Sequence, residues 1–336
     1  MNSTKLVRPL GEVVRREPLL PVLLVLLIVL AASYDGFATV DNFRNIAIQA
    51  SPLVIAAVGM TFVIMTAGID LSVGSMLFLA AAIETSKSIV GHSTTVVFVV
   101  VCAAGIGMGL INGLAVACTR VPALIVTLAT MEVFRGAGGH ITRQQSIDLP
   151  GNLRGIGTGS LLGVPNPVLL AIMIALAGAL TFRRTVFGRY VQAVGSYEDA
   201  AVDAGLPVRG VLVGAYTLAG MLAAVASLAQ TARLGAVQPS IGQGYELTVI
   251  TAVVLGGTSL FGGRGSIAGT VLGALILTSV QTGLVFSSAS PYVFDIVRGG
   301  VLLAAVLAAG ARWRRIAHAL GLTGRRVRSK ASATAV

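Results

Sequence analysis

Ile46-Ala-Ile-Gln-Ala-Ser-Pro-Leu-Val-Ile-Ala-Ala-Val-Gly-Met-Thr-Phe-Val-Ile-Met-Thr-Ala67, followed at once by Gly68-Ile-Asp70-Leu-Ser72-Val-Gly74-Ser75, is the stretch whose reading decides the fold. Its first part carries no charge and is long enough, at ~1.5 Å rise per residue, to cross a ~30 Å hydrocarbon core as one helix. Its second part is short, polar and glycine-bearing, and the apolar pattern resumes at Val73. A polar break between two apolar runs is the signature of a chain that turns or unwinds inside a bundle of membrane helices.

Outward from there the same pattern recurs along the chain. Apolar runs fall at about 19–32, 46–67, 73–89, 95–118, 123–139, 167–182, 211–231, 247–257, 267–286 and 293–309. Composition agrees: 55% of the 336 residues are hydrophobic and 11% are charged, against roughly 25% charged in an average soluble domain. The expected fold class is an all-α polytopic membrane protein with about ten transmembrane helices. The first run, behind a charged start, has the look of a secretion signal, but so many spans follow that it reads as a retained helix.

The net charge of +11 does not point to nucleic acid, because the charge is segregated. Lys5, Arg8, Arg15 and Arg16 precede the first run, and Arg312, Arg314, Arg315, Arg325, Arg326, Arg328 and Lys330 follow the last. With the amino terminus inside, the external side keeps only Arg44, Lys87, Arg143, Arg154 and Arg233. Lys and Arg gather on the cytoplasmic side of membrane proteins, so both termini are expected in the cytoplasm. The basic clusters also suit contact with anionic membrane lipid. The implied organisation is a cytoplasmic segment 1–18, a membrane domain 19–310 with a long cytoplasmic loop at 183–209, and a basic cytoplasmic tail 311–336. An external loop at 141–165, rich in glycine and proline, suits a partner or a lid. No internal repeat is visible in the residues themselves.

Glycines spaced within runs (Gly105, Gly107, Gly109 and Gly113, then Gly269 and Gly273) predict close helix–helix approach. Cys102 and Cys118 lie in one run, over four helical turns apart, and read as small buried hydrophobes. His92, His140 and His318 are isolated, so no metal site is expected. No G-x-x-x-x-G-K-[ST] phosphate loop occurs, and the glycines at 262, 263 and 265 lack the lysine and hydroxyl that would complete one. No paired carboxylates or nucleophile–histidine neighbours suggest an enzyme.

Ionisable groups inside spans are costly in lipid and therefore informative. Glu132 with Arg135, and Asp295 with Arg298, are three apart and suit same-face pairs. They serve either helix docking or solute contact. Glu84 faces either a polar pathway or the outer surface. The first break (Gly68, Asp70, Ser72, Gly74) offers Asp70 and Ser72 as caps for the next helix. The second runs Gly256-Gly257-Thr258-Ser259-Leu-Phe-Gly262-Gly263-Arg264-Gly265-Ser266. Both are either tight turns at the membrane surface or walls of a translocation route. In the 183–209 loop, Asp199-Ala200-Ala201-Val-Asp203-Ala-Gly205-Leu-Pro207 reads as a short helix stopped by glycine and proline, with alanines another protein can approach.

These segments resemble the ribose-type permease family of ABC importers over nearly the whole chain. The resemblance is carried by Ala67-Gly-Ile-Asp-Leu-Ser-Val-Gly-Ser75, by Val121-Pro-Ala-Leu-Ile-Val-Thr-Leu-Ala-Thr130, and by Phe187-Gly-Arg-Tyr190 with Ala193-Val-Gly195. Gly244-Tyr-Glu-Leu247 and Val253-Val-Leu-Gly-Gly-Thr-Ser-Leu260 with Gly262-Gly-Arg-Gly-Ser266 complete it, in the same order. Ala123 stands where the family often has a second proline.

The resemblance implies a permease in the bacterial cell membrane that carries a monosaccharide or similar small polar solute. It implies a second permease copy (homodimer or heterodimer), a cytoplasmic ATPase subunit and an extracytoplasmic sugar-binding protein. ATP and magnesium then belong to the ATPase, and this chain binds no cofactor. Arg189, Asp199, Ala200, Ala201 and Gly205 take the role of the coupling surface, with Asp199 replacing the family's usual glutamate and Leu206-Pro207 departing from its pattern. Gly68, Asp70, Ser72, Gly74, Glu132, Glu246, Gly256, Gly257 and Arg264 are candidates for the pathway or its gate. The binding protein is expected near 141–165 and 233–243. Without the resemblance, an ion-gradient transporter using Asp70 or Glu132, or a non-transporting membrane scaffold, explains the same spans.

Overall fold

The structure is a computed structural model and describes residues 18–119 and 121–319. Apart from Pro18, the expected segment 1–18 lies outside those residues. So do Arg120 and the tail beyond Ala319, whereas 311–319 continues the last helix.

The described residues are mostly helical: α1 (Leu19–Ser33), α2 (Val40–Met65), α3 (Val73–Glu84), α4 (Thr94–Cys118), α5 (Ala123–Thr142), α6 (Gly151–Thr158), α7 (Asn166–Arg184), α8 (Val186–Ser196), α9 (Glu198–Asp203), α10 (Val208–Leu234), α11 (Tyr245–Leu255), α12 (Ile267–Phe286) and α13 (Pro291–Ala319). Helix starts carry the residues that satisfy free backbone donors. Thr39 accepts from Asn42 N, Ser93 from Val96 N and Ser266 from Gly269 N. α10 ends on Gly235 in the left-handed region, the usual glycine stop.

Among the described residues, five helices are long and apolar enough to cross a membrane: α2, α4, α7, α10 and α12. Large apolar side chains such as Ile28, Val133, Leu176 and Leu180 are exposed on the outside of the bundle, as a lipid-facing surface requires. The expected third and eighth spans are shorter than anticipated. α3 has 12 residues and α11 has 11, so each is about 16–18 Å long at ~1.5 Å per residue, half of a hydrocarbon core. Their apolar composition equals that of full spans, but each is preceded by a non-helical strip, 66–72 before α3 and 235–244 before α11.

α2 is the central element, with 89% of its most apolar window buried. α10 packs on α2, α3 and α4, and α12 packs on α2 and α11. The pairing pattern repeats when α2, α3, α4 and α5 are exchanged for α10, α11, α12 and α13. α4 packs on α10 as α12 packs on α2, and α3 packs on α5 and α10 as α11 packs on α13 and α2. The repeat invisible in the residues is thus present in the architecture.

The α4–α10 seam is backbone on backbone. A Cβ at Gly105 would lie 2.6 Å from Gly220 O, one at Gly113 2.8 Å from Val213 Cα, and one at Gly109 would overlap the Tyr216 carbonyl. Gly269 and Gly273 play the same part between α12 and α11, against Gly256 and Ala252. Gly107 departs from the expectation, with open space around it. Gly109→Leu is therefore expected to cost about 1–3 kcal/mol or more by overpacking, while Gly107→Leu stays within ~0.5 kcal/mol. Thermal denaturation of the detergent-solubilised protein measures the difference. Cys102 is half-buried, but Cys118 is exposed at the end of α4, contrary to its reading as a core residue.

Two short antiparallel pairs lie at one end of the bundle. β1 (Ile147–Asp148) pairs with β4 (Ala236–Val237), Ile147 opposite Val237. β2 (Ser160–Leu161) and β3 (Val164–Pro165) form a hairpin. With Leu149 and Leu153 buried beneath them, the two loops expected outside are joined into one folded cap.

Candidate functional site

The first break is a buried polar knot. Asp70, Ser72 and Asn112 are each 0% exposed. Asp70 Oδ1 accepts from Ser72 N at 2.8 Å and Ser72 Oγ at 2.6 Å. Asn112 Nδ2 donates to Ser72 Oγ at 2.8 Å and reaches Asp70 Oδ1 at 3.4 Å. The carbonyl of Ile69 accepts from Thr127 Oγ1 on α5 and, at 3.5 Å, from Tyr216 Oη on α10. Unwound backbone in a membrane protein needs such partners, and here they come from three helices. Ser72 occupies the N-cap of α3, but neither side chain caps in the expected way. Its hydroxyl turns to Asp70, which takes the Ser72 N–H itself. The break is thus an interior feature rather than a turn at the surface. Gly68 and Gly74 are needed for space: a Cβ at Gly68 would lie 2.6 Å from Tyr216 Oη, and one at Gly74 would overlap the Gly242 carbonyl beside Glu246 Oε2.

That last contact joins the two half-helices, because Gly74 opens α3 and Glu246 opens α11. Two arginines hold the strip before α11 by its carbonyls. Arg135 on α5 donates to Ile241 O at 2.8 Å and lies over the Phe78 ring at 4.7 Å. Arg298 on α13 donates to Gly244 O at 3.0 Å and Thr248 Oγ1 at 2.8 Å. Glu246 feels both cations. The expected Asp295–Arg298 pair is present at 3.0 Å. The expected Glu132–Arg135 pair does not close, because Arg135 turns inward to the carbonyl and the ring while Glu132 stays exposed. Glu132 on α5 and Asp295 on α13 are exposed and Glu246 on α11 is half-buried, with Asp295 paired to Arg298.

The second break, 256–266, is a tight turn between α11 and α12, closed by Ser259 N to Arg264 O at 2.9 Å. Gly256 is buried against Gly269, whereas Gly257 (φ +87°) and Arg264 are exposed. The turn packs on α8 and on the end of α2: Gly263 N donates to Met65 O at 2.9 Å.

α9 projects beside it. Gly205 N bonds Val202 O at 2.9 Å and Leu206 N bonds Ala201 O at 3.0 Å, a Schellman stop with Gly205 at φ +74°, as the glycine–proline ending predicted. Arg189, Asp199, Ala200 and Gly205 are exposed. Ala201 is only 4% exposed, so it seats the helix instead of forming its outer face.

Glu84 has a role that neither reading of the residues anticipated. It is 1% exposed, with Ser227 Oγ donating to one carboxyl oxygen at 2.5 Å and Thr231 Oγ1 to the other at 2.6 Å. The hydroxyls sit one turn apart on α10, and that i, i+4 pair in an apolar helix was the available signal. Among the described residues no group of His, Cys, Asp and Glu could hold a metal ion.

Residues 42–306 match the family model described as "Branched-chain amino acid transport system / permease component". The ribose import permease protein RbsC of Escherichia coli is 42% identical over 85% of this chain and 90% of its own length. The galactofuranose transporter permease protein YtfT of Escherichia coli is 36% identical over 79% and 78%. The L-arabinose ABC transporter permease protein AraH of Azospirillum brasilense is 34% identical over 88% of each. The chain belongs to the ribose-type family of ABC importer permeases. No solved structure matches it. As a permease it is a multi-pass membrane protein and a transport subunit, not an enzyme. The family model names amino-acid transport, whereas these relatives, matched over 78–90% of their own length, name sugars.

Proposed function

We propose that this permease carries a monosaccharide into the cell as the membrane half of an ATP-driven importer. The observation that carries the reading is the exposed, glycine-stopped helix α9, in a chain 42% identical to a ribose import permease. Its Asp199, Ala200 and Gly205, with Arg189 on α8, form the face that an ATPase subunit grips. Ala201 sets the depth of the helix. ATP and magnesium stay on that subunit, and this chain contributes no cofactor.

The chain crosses the membrane about ten times with both termini in the cytoplasm, counting each half-helix with its extended strip as one passage. Segregation of Lys and Arg supports this orientation. A sugar-binding protein docks on the opposite end, where the pairing of 147–148 with 236–237 welds the two external segments into one platform. A second permease copy, identical or related, faces the side of the bundle that carries Glu132, Glu246 and the Asp295–Arg298 pair. Carboxylates accessible at membrane depth need water or protein beside them, and a hydrated sugar path between two copies supplies both. The buried Gly68, Asp70, Ser72 and Gly74 hold the wall of that path, and Gly256, Gly257 and Arg264 close its cytoplasmic end. Membrane lipid covers the remaining apolar surface.

Proteoliposomes test the reading. Permease with its ATPase, binding protein and ATP should accumulate labelled ribose or another pentose. Permease alone under a proton or sodium gradient should accumulate none. Uptake driven by the gradient alone would refute it.

A further inference from the structure

The residues that bring α9 into register with the rest of the molecule are not those that face the ATPase. α8 precedes α9 with only Tyr197 between them, and α8 is fastened to α2 at two points. Near its start, the Phe187 ring stacks on Phe62 of α2, centroids 5.9 Å apart and planes 22° apart. Near its end, Gly195 is pressed so closely on the carbonyl of Met65, the last residue of α2, that a Cβ there would overlap it.

The same carbonyl accepts from Gly263 N at 2.9 Å. A Cβ at Gly262 would lie 2.5 Å from Gly195 O and 2.9 Å from Ala67 N, and one at Gly263 2.5 Å from Ser196 Oγ. Three chain segments therefore meet backbone to backbone: the end of α8, the end of α2 and the 256–266 turn. Ala67 sits at φ +61°, a conformation an L-residue adopts only when its surroundings impose it.

We infer that Gly195 is the positioning residue of the importer, the joint through which movement of α9 reaches both half-helices at once. From Met65 the chain runs through Ala67 and Gly68 into the Asp70 knot and α3. From Gly263 it runs back through Gly256 into α11. Close-packed backbone transmits displacement with little loss, whereas long side chains would absorb it by changing rotamer. This inference rests on the reading that α9 receives the ATPase.

The test uses the complete importer, with permease, ATPase and binding protein in proteoliposomes, and reads sugar taken up per ATP hydrolysed. Gly195→Ala should reduce the amount of complex recovered, because its Cβ must displace backbone, and in the complex that assembles it should lower uptake per ATP at least tenfold. Ala67→Gly, which relaxes the backbone and folds without strain, should lower the same ratio about two- to fivefold with assembly unchanged. A residue that only stabilises the fold would lower the amount of complex and leave the ratio untouched. A wild-type ratio in Ala67→Gly, or in assembled Gly195→Ala, overturns the joint. Failure of the wild-type complex to hydrolyse ATP when loaded binding protein is added refutes the proposed function instead, and is read before either variant.

Discussion

Asp70→Ala is expected to deplete the folded permease rather than merely slow it. Asp70 accepts from Ser72 N, Ser72 Oγ and Asn112 Nδ2 at a site with no solvent exposure. A hydrogen bond contributes ~0.5–1.5 kcal/mol, and each donor left buried without a partner costs about 1–3 kcal/mol. The total is about 3–5 kcal/mol, a large share of the ~5–15 kcal/mol that holds a typical domain together.

Asp70→Asn should lose roughly half as much. It keeps an acceptor for Ser72, and Asn112 Oδ1, which has no partner in the structure, can swing round to accept the new amide. Thermal melts of the detergent-solubilised variants should fall in the order wild type, Asp70→Asn, Asp70→Ala. An alanine variant melting within about 2 °C of wild type would mean that the knot is not a stability element.

Ala200→Arg is the second large effect, and it acts through a partner. Ala200 is exposed on α9 while its neighbour Ala201 is buried, so a guanidinium at 200 spares the fold and, on the proposed coupling surface, meets the ATPase. An uncompensated charge in a closed interface costs several kcal/mol, and each ~1.4 kcal/mol is tenfold in affinity. Membrane levels should stay normal while ATPase co-purification and sugar uptake fall about 100-fold or more. Ala201→Arg should do the opposite, reducing the amount of protein because the charge is driven into the core. Normal uptake by Ala200→Arg would remove α9 from the coupling surface.

The helices were legible because hydropathy reports them one at a time. The run expected at 267–286 matches α12 end for end, and that at 19–32 differs from α1 by one residue. The half-length of α3 and α11 was not legible, since Val73–Glu84 and Tyr245–Leu255 are about as apolar as the full span α12. Only the path of the strips before them shows that they start inside the bundle. The architectural repeat escaped for a related reason: it lies in which helices touch, and helices in lipid can keep their contacts while exchanging nearly every residue.

Among the site residues, the glycine–proline stop of α9 was readable from local chemistry. The grip of Ser227 and Thr231 on Glu84 was not, because 143 and 147 residues separate the partners. The Arg135 position shows the limit of spacing arguments. An i, i+3 acid lay within reach, but a carbonyl and an aromatic ring on the inner side took the cation.

The glycine seam of α4 and α10 also limits how the molecule can deform. Two helices whose main chains touch at residues 105, 109, 113 and 220 have no flexible layer between them. Sliding would drive atoms through one another, and parting would open a void that neither lipid nor water fills well. That half of the molecule is rigid as a beam. The rim of α5, α11 and α13 is the more yielding part, because guanidinium groups there hold carbonyls by bonds that can be exchanged one for another.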